Sequence, residues 1–220
     1  MSGVRLCSYR LTEDAGFAPN PFFGTLTLAT GMPDIRQGAL VDDWIAGFTS
    51  SSLGGDAPGA ERLVFVMRVE ENPTIAEYFG DPRYTRKIPA PDGAAEVERH
   101  GDNIYQPRRG DAAEPGHFRQ LSNPHHWDRV HGREDERSKR QDVSGRRVLV
   151  AREFVYFGRE PLQVADFARP ALPKCHSQCS AMTPDAEVAR AFIDFALGKA
   201  GRSVVAPPHA WPGKDDSWRQ

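Results

Sequence analysis

Before residue 72 the chain offers four short strand-like runs and no helical period between them long enough to carry a crossover. VRLCSYR (4–10) and TLTLAT (25–30) alternate apolar and polar positions, WIAGFTS (44–50) enters through two carboxylates, and RLVFVMRVEE (62–71) is the strongest strand signal. The segments joining them are turns rich in Gly, Pro and Ser. Strand–helix–strand alternation is what a doubly wound parallel sheet requires, and it is missing here. The pattern therefore predicts an α+β domain built on a strongly curved, mostly antiparallel sheet.

After the fourth strand, Asn72-Pro73 breaks the extended run. TIAEYFG then predicts a short helix in which Thr74 and Glu77 form a capping box. From 81 to about 147 the sequence is polar and turn-rich, which for so long a segment points to a functional insert or to mobility. Two islands inside it, DNIYQP and GHFRQLSNPHHW, carry aromatic content, whereas the charged stretch 128–147 reads as a solvated loop. RVLVAREFVYFG returns to strand, as one piece or as two with a bend. TPDAEVARAFIDFALGKAG predicts a helix capped by Thr183, with Pro184 at its first position and Gly201 past its end. Its apolar face is Val188, Ala189, Phe192, Ile193, Phe195 and Ala196. The boundaries that follow are one domain over 1–204, with the polar insert at 81–147, and a tail over 205–220 holding Pro and two Trp.

A net charge of −2 over 220 residues creates no field that would draw the whole molecule onto nucleic acid. No run approaches the ~20 apolar residues of a membrane span, and the N-terminus has no apolar leader, so a cytoplasmic location and no membrane partner are expected. Three cysteines are too few for a disulfide scaffold. CHSQC (175–179) has the wrong spacing for a zinc knuckle, and His125, His126 and His131 do not share a helix face, so no metal is predicted. There is no GxGxxG after a strand, no GxxxxGK[ST], no GxSxG and no HExxH, and no cofactor is predicted.

Chemistry must then come from polar residues set beside aromatics. In FAPNPFFG the two prolines restrain Asn20, whose amide can donate and accept at a base edge, while Phe17, Phe22 and Phe23 offer stacking faces. The competing reading has the phenylalanines plugging the core and Asn20 capping a turn. In LVDDWIAGF the pair Asp42-Asp43 before Trp44 is a turn or one wall of a site, and Arg36 is a partner for phosphate. The best candidate is DNIYQP. It sets Asp102, Asn103 and Tyr105 within four residues, with Arg108, His117 and Asn123 following in the same segment.

The blocks SYRLTEDAGFAPNPFFGTLTLATGMPDIR, GALVDDWIAGFTS, RLVFVMRVEENPTIAEYF, GDNIYQP and VLVAREFVYFG, in that order, resemble the nucleotide modification associated domain family of type two. The resemblance runs over about residues 5 to 200. It implies a link to nucleotides and to bacterial or phage DNA-modification systems without implying a catalytic step. It bears on Asn20, Arg36, Asp43, Trp44, Asp102, Asn103 and Tyr105 as positions within the family's blocks. A carboxylate-tryptophan turn leading into a strand is also similar to the core of PUA, ASCH and EVE-type modules, which implies a small PUA-like β-barrel with a few flanking helices. Asp42-Asp43 departs from the Gly-Asp usual there.

Three functions follow as expectations. The first is recognition of a nucleotide, a modified base or DNA, with Phe22, Phe23 or Tyr105 stacking, Asn20 and Asn103 reading the base edge, and Arg36 or Arg108 meeting phosphate. Asp43 and Trp44 complete that nucleotide-binding set. The second is an enzyme acting on a nucleotide or base, with Asp102 as general base and His117 as its acid partner. The third is a scaffold that docks a protein partner through the charged 128–147 loop. The sequence leaves open whether there is turnover at all.

Overall fold

The computed structural model describes residues 3–108, 114–173, 180–200, 203–212 and 216–219. In chain order its strands and α-helices are β1 (Leu6–Arg10), β2 (Leu26–Leu28), α1 (Pro33–Gly38), β3 (Trp44–Phe48), α2 (Ser51–Gly54), β4 (Leu63–Arg68), α3 (Ile75–Gly80), α4 (Glu96–Arg99), β5 (Tyr105–Pro107), β6 (Phe118–Gln120), β7 (Trp127–Asp128), β8 (Arg133–Glu134), α5 (Glu136–Ser144), β9 (Leu149–Ala151), β10 (Phe154–Tyr156), β11 (Ser180–Met182) and α6 (Ala186–Gly198). Short 3-10 turns include Pro82–Lys87 and Pro115–His117. The fold is α+β. Two compact units are each assembled from separated segments: unit 1 from 1–14, 40–70 and 151–211, unit 2 from 15–39, 71–150 and 212–220.

Unit 1 is a five-stranded sheet in the order β10-β4-β3-β1-β11. Three neighbouring pairs are antiparallel, while β1 and β3 run parallel with Leu6 opposite Trp44 and Arg10 opposite Phe48. The sheet is therefore mixed. No closed barrel forms among the described residues, which corrects the barrel expectation, and the reason lies at an edge. Residues 203–205 occupy the free side of β10, where the Tyr156 amide donates to Ser203 O at 2.7 Å and the Val205 amide to Tyr156 O at 2.8 Å. That ladder uses the groups β10 would need to close on the far strand.

Helix α6 covers one face. Ala189, Phe192, Ile193 and Ala196 are buried with Leu6, Trp44, Ala46, Phe48, Val66 and Val155, as the 3.6-residue period requires. Val188 and Phe195, at the margin of the predicted face, are only half-buried. The cap lies two residues later than predicted: Asp185, not Thr183, accepts from the Glu187 and Val188 amides, and Thr183 Oγ1 accepts from the Ala171 amide. Asp fits because its carboxylate reaches two orphan amides of the first turn. Gly201, the expected stop, lies outside the described residues. Gly47 is required where it stands, since a Cβ there would come within 2.1 Å of the Phe65 ring across the strand pair.

Unit 2 holds the polar segment and is not a loose insert. Its sheets are small pairs, β2 with β9, β5 with β6 and β7 with β8. Its core is Phe17, Ala29, Ile75, Tyr78, Tyr84, Ile104, Tyr105, Phe118, Val143, Val148 and Val150. The capping box of α3 forms as predicted between Thr74 and Glu77. The stretch 128–147, expected as a solvated loop, is instead the β7–β8 hairpin followed by α5. Asp135 caps α5 by accepting from the Arg137 and Ser138 amides. Lys139, Asp142 and Val143 form its buried side, a spacing of one helix face that dense charge had masked. Trp211 in unit 1 and Trp218 in unit 2 are both buried. Among the described residues no helix is long and apolar enough to cross a membrane.

Candidate functional site

The polar residues singled out in the sequence fall mainly in unit 2, where they form two buried networks and a half-exposed rim. The first network starts at the turn that the prolines impose on Asn20. Its backbone pairs with Thr27 through two 2.9 Å hydrogen bonds, closing the loop 20–27. Lys87, at the end of the 3-10 turn 82–87, sends its ammonium into that loop. It donates to Asn20 Oδ1 at 2.9 Å and to Asn20 O, Thr25 O and Thr27 Oγ1 at 3.0 Å each. Four acceptors meet three N–H groups, so the cation is saturated by the protein.

Thr27 passes the charge on, donating from Oγ1 to Asp102 Oδ2 at 2.5 Å, and Tyr78 OH donates to Asp102 Oδ1 at 2.8 Å. Burial lowers Lys87 to a pKa of about 8, with Asp102 pulling it back up. Burial likewise raises Asp102, with Lys87 as the largest opposing influence. A side chain at 101 would force the backbone to shift, because a Cβ on Gly101 would lie 2.2 Å from Lys87 O.

The second network is organised by Arg36 and Asp142, both buried. The Arg36 fork donates to Gly31 O and Arg147 O at 2.7 Å each and to Asp142 O, so it ties the end of α5 to the turn before α1. Burial lowers its pKa and Asp142 opposes the shift. The Asp142 carboxylate accepts from the Gly31 amide at 2.7 Å and from Tyr105 OH at 2.6 Å, and meets His126 Nδ1 at 2.6 Å. Burial, followed by the charge of Asp142, raises the Tyr105 hydroxyl well above its ordinary range. Gln120 closes the circuit by donating to His126 O at 2.6 Å and accepting from the Asp135 amide at 2.7 Å.

The rim is the loop after β6. Asn123 Oδ1 accepts from the His125 and His126 amides at 2.9 and 2.7 Å, which turns both imidazoles to one side of the loop. His125 stacks on Phe17 with centroids 4.6 Å apart, and His126 meets the same ring edge-on at 5.1 Å. His125 Nε2 and His100 Nδ1 are 2.8 Å apart, and His100 Nε2 lies 3.1 Å from Glu96 Oε2. Burial lowers His125 to about 3, helped by His100 and His126, and also lowers His100 against the pull of Glu96. Both rings are neutral at neutral pH and so each carries one donor and one acceptor. The His126 side chain, 28% exposed above a carboxylate that is 1% exposed, is held in the manner of an imidazole oriented for proton transfer.

The fate of the expected set is uneven. Asn20 and Asn103 are buried, and the protein holds their amides. Asn20 Nδ2 donates to Gly16 O and His100 O at 3.0 Å, and Asn103 Nδ2 to Tyr78 O and Tyr84 O at 3.4 Å. Phe22 is buried, Phe23 has Arg86 4.2 Å over its ring, and Arg108 reaches Glu134 at 3.3 Å from the surface. Asp43 and Trp44 belong to unit 1, where the Leu40 amide donates to Asp43 at 2.8 Å and Trp44 lies in the core. No hydrogen bond among the described residues joins Asp102 to His117, whose Nδ1 is buried without a partner. Lys87, Thr27, Tyr78, Asp142 and His100 were not singled out in the sequence, and His125 and His126 were weighed only as metal ligands. Cys175, His176 and Cys179 lie outside the described residues. Among those described no group of three His, Cys, Asp or Glu side chains is set to hold a metal ion.

A family model described as nucleotide modification associated domain 2 matches residues 4–215. No curated protein matches the chain, and no solved structure does.

Proposed function

The chain belongs to the nucleotide modification associated domain 2 family, and from that membership we propose that unit 2 recognises a nucleotide or a modified base, in DNA modification or defence of the kind found in bacteria and phages. The observation that carries the proposal is the imidazole rim, with His125 and His126 packed on Phe17 and His100 against His125, in which His100 and His125 are held neutral. A neutral ring already stacked on an aromatic side chain can extend that stack onto a base without demanding a charged ligand. In this reading Asn20, Asn103, Arg36 and Asp102 act behind the rim. Their polar atoms are engaged by the protein, and they hold the loops that carry the histidines.

The test is a titration of nucleosides and modified nucleosides into the protein, followed by the imidazole C–H resonances in NMR spectra. The expected result is selective shifts of His100, His125 and His126, and a loss of about 1–3 kcal/mol of binding in His125→Ala, the worth of one stacked base. Resonances that stay fixed for every nucleoside refute the assignment.

A second reading is an enzyme, favoured by the 2.6 Å contact between His126 Nδ1 and the buried Asp142 carboxylate. Orienting an imidazole in this way suits general acid–base work, and it replaces the Asp102 and His117 pairing by a pair already in contact. Turnover of a nucleotide that falls by about 100-fold or more in a folded His126→Gln protein supports it. Equal turnover in wild type and variant rules it out.

A further inference from the structure

The helices α1 and α5 of unit 2 border a cleft of about 400 Å3 that none of the residues discussed above occupies. That volume lies in the range of small-ligand sites. Its lining includes Asp34 and Gln37 of α1, Glu114 before the 3-10 turn 115–117, Arg140 and Ser144 of α5, and Arg146 just beyond α5. We propose that this cleft binds the phosphate group of a nucleotide, through the guanidinium groups of Arg140 and Arg146. The proposal rests on nucleotide recognition by unit 2 and adds to it a site for the phosphate.

Two observations carry it besides the cavity itself. Neither arginine makes a hydrogen bond or ion pair through its side chain with any described residue. Arg10, Arg36, Arg62, Arg83 and Arg169, by contrast, are all engaged by carboxylates or carbonyls. Arg140 and Ser144 are four residues apart and share one helix face. The second observation is the backbone of Arg146, which has a φ of 56°. Just past a helix end this left-handed conformation is the place of glycine, and a long side chain adopts it at a cost. Glycine stands one position earlier instead, where a Cβ would come within 2.5 Å of Arg36 Cζ. The chain thus keeps an arginine at 146 against the local preference, and its side chain lines the cleft.

Asp34 and Glu114 define the ligand further. Two carboxylates and two guanidiniums leave the cleft with no net charge, so a bare phosphate dianion meets repulsion as well as attraction. A nucleotide can give its phosphate to the arginines and its sugar hydroxyls, or a base amine, to the carboxylates. The same chemistry is offered by a free mononucleotide and by the phosphodiester of a strand.

The experiment measures binding of four probe types by calorimetry: inorganic phosphate, deoxynucleosides, the four deoxynucleoside monophosphates, and a short single-stranded oligonucleotide. Arg140→Gln and Arg146→Gly are compared with wild type. Arg146→Gly relieves the backbone, so its melting temperature should be equal or higher, and loss of binding in it cannot come from unfolding. The expected result is that a monophosphate binds more tightly than inorganic phosphate and weakens at least about tenfold in each variant, with the nucleoside unaffected. If the strand is the source, the oligonucleotide weakens instead and its salt slope falls by about one per lost contact. Phosphate-bearing probes that bind both variants as they bind wild type overturn the cleft, as does the failure of every such probe to bind wild type. Nucleosides judge the histidine rim separately: a monophosphate that depends on the arginines, with no nucleoside binding at all, leaves the cleft standing and removes the rim.

Discussion

Replacing Lys87 by Met tests whether the first buried network is a matched ion pair or a set of independent polar contacts. Lys87 is 1% exposed and Asp102 is 1% exposed, and Thr27 Oγ1 bridges them, 3.0 Å from the ammonium and 2.5 Å from the carboxylate. Removing the cation leaves a buried carboxylate without a counter-charge, which costs about 3–5 kcal/mol, mostly the desolvation that Asp102 then bears alone. Asn20 O, Asn20 Oδ1 and Thr25 O lose a donor as well. For a chain of this size the loss corresponds to a fall of about 6–20 °C in melting temperature. Asp102→Asn placed on top of Lys87→Met should recover part of it. The amide keeps an acceptor for Tyr78 OH and supplies a donor to Thr27 Oγ1, and no charge remains to be compensated. Urea unfolding of the wild type, both single variants and the double variant gives a coupling energy, expected at about 1–3 kcal/mol in favour of the pair. A Lys87→Met protein that loses less than about 1 kcal/mol, or single losses that simply add, would show that the ammonium is an interchangeable donor.

Three further outcomes follow. Because Lys87 titrates near 8 in the folded protein and at 10.5 ordinarily, the unfolded chain holds the extra proton between those values. Stability should therefore rise with pH across that window in wild type relative to Lys87→Met, and identical alkaline slopes in urea melts would refute it. His125 is depressed from 6.5 to about 3, so below 6.5 the unfolded chain takes up a proton that the folded chain refuses. Stability should fall as pH drops from 6.5 towards 3, and His125→Asn should flatten the fall when unfolding midpoints are compared across that range. Gly101→Ala drives a methyl to 2.2 Å from a backbone oxygen that cannot swing aside, and a loss of about 1–3 kcal/mol in urea unfolding is expected. An unchanged midpoint would mean that the 87–101 contact is looser than it stands.

The elements came through in the sequence where one local signal decides them. Alternation in VRLCSYR marked β1, the continuous apolar run in RLVFVMRVEE marked β4, and the Thr74–Glu77 box marked the start of α3 within its own four residues. What failed depends on partners distant in sequence. The parallel pairing of β1 with β3 and the occupation of the β10 edge by residues 203–205 are choices between strands that alternation cannot rank. Helix α5 was misread because Lys139 and Asp142 count as solvent-facing in any local pattern. Lys139 is buried against Glu134 and Glu136 of the same segment, a set of charges that reads locally as a solvated face, whereas Asp142 is buried against Arg36, Tyr105 and His126, which lie outside it.

The same logic explains the candidate site. A side chain with many hydrogen-bonding groups is marked by sequence as a ligand contact, yet in a buried setting those groups must be satisfied whether a ligand comes or not. Asn20 uses its amide on Gly16 O, His100 O, the Phe22 amide and Lys87, and Arg36 spends its fork on three carbonyls. Their richness in polar atoms is what lets each hold several loops at once. It also removes them from the surface where a base could reach them. Groups at the margin are those a network orients rather than encloses, such as an imidazole held at Nδ1 by a buried carboxylate, or an arginine just past a helix end that lines a cleft. His126 and Arg146 meet that description; the sequence marks His126 only as a candidate metal ligand and Arg146 not at all. In unit 2 the polar residues easiest to notice build the support, and the groups that the proposals assign to a nucleotide stand at its edges.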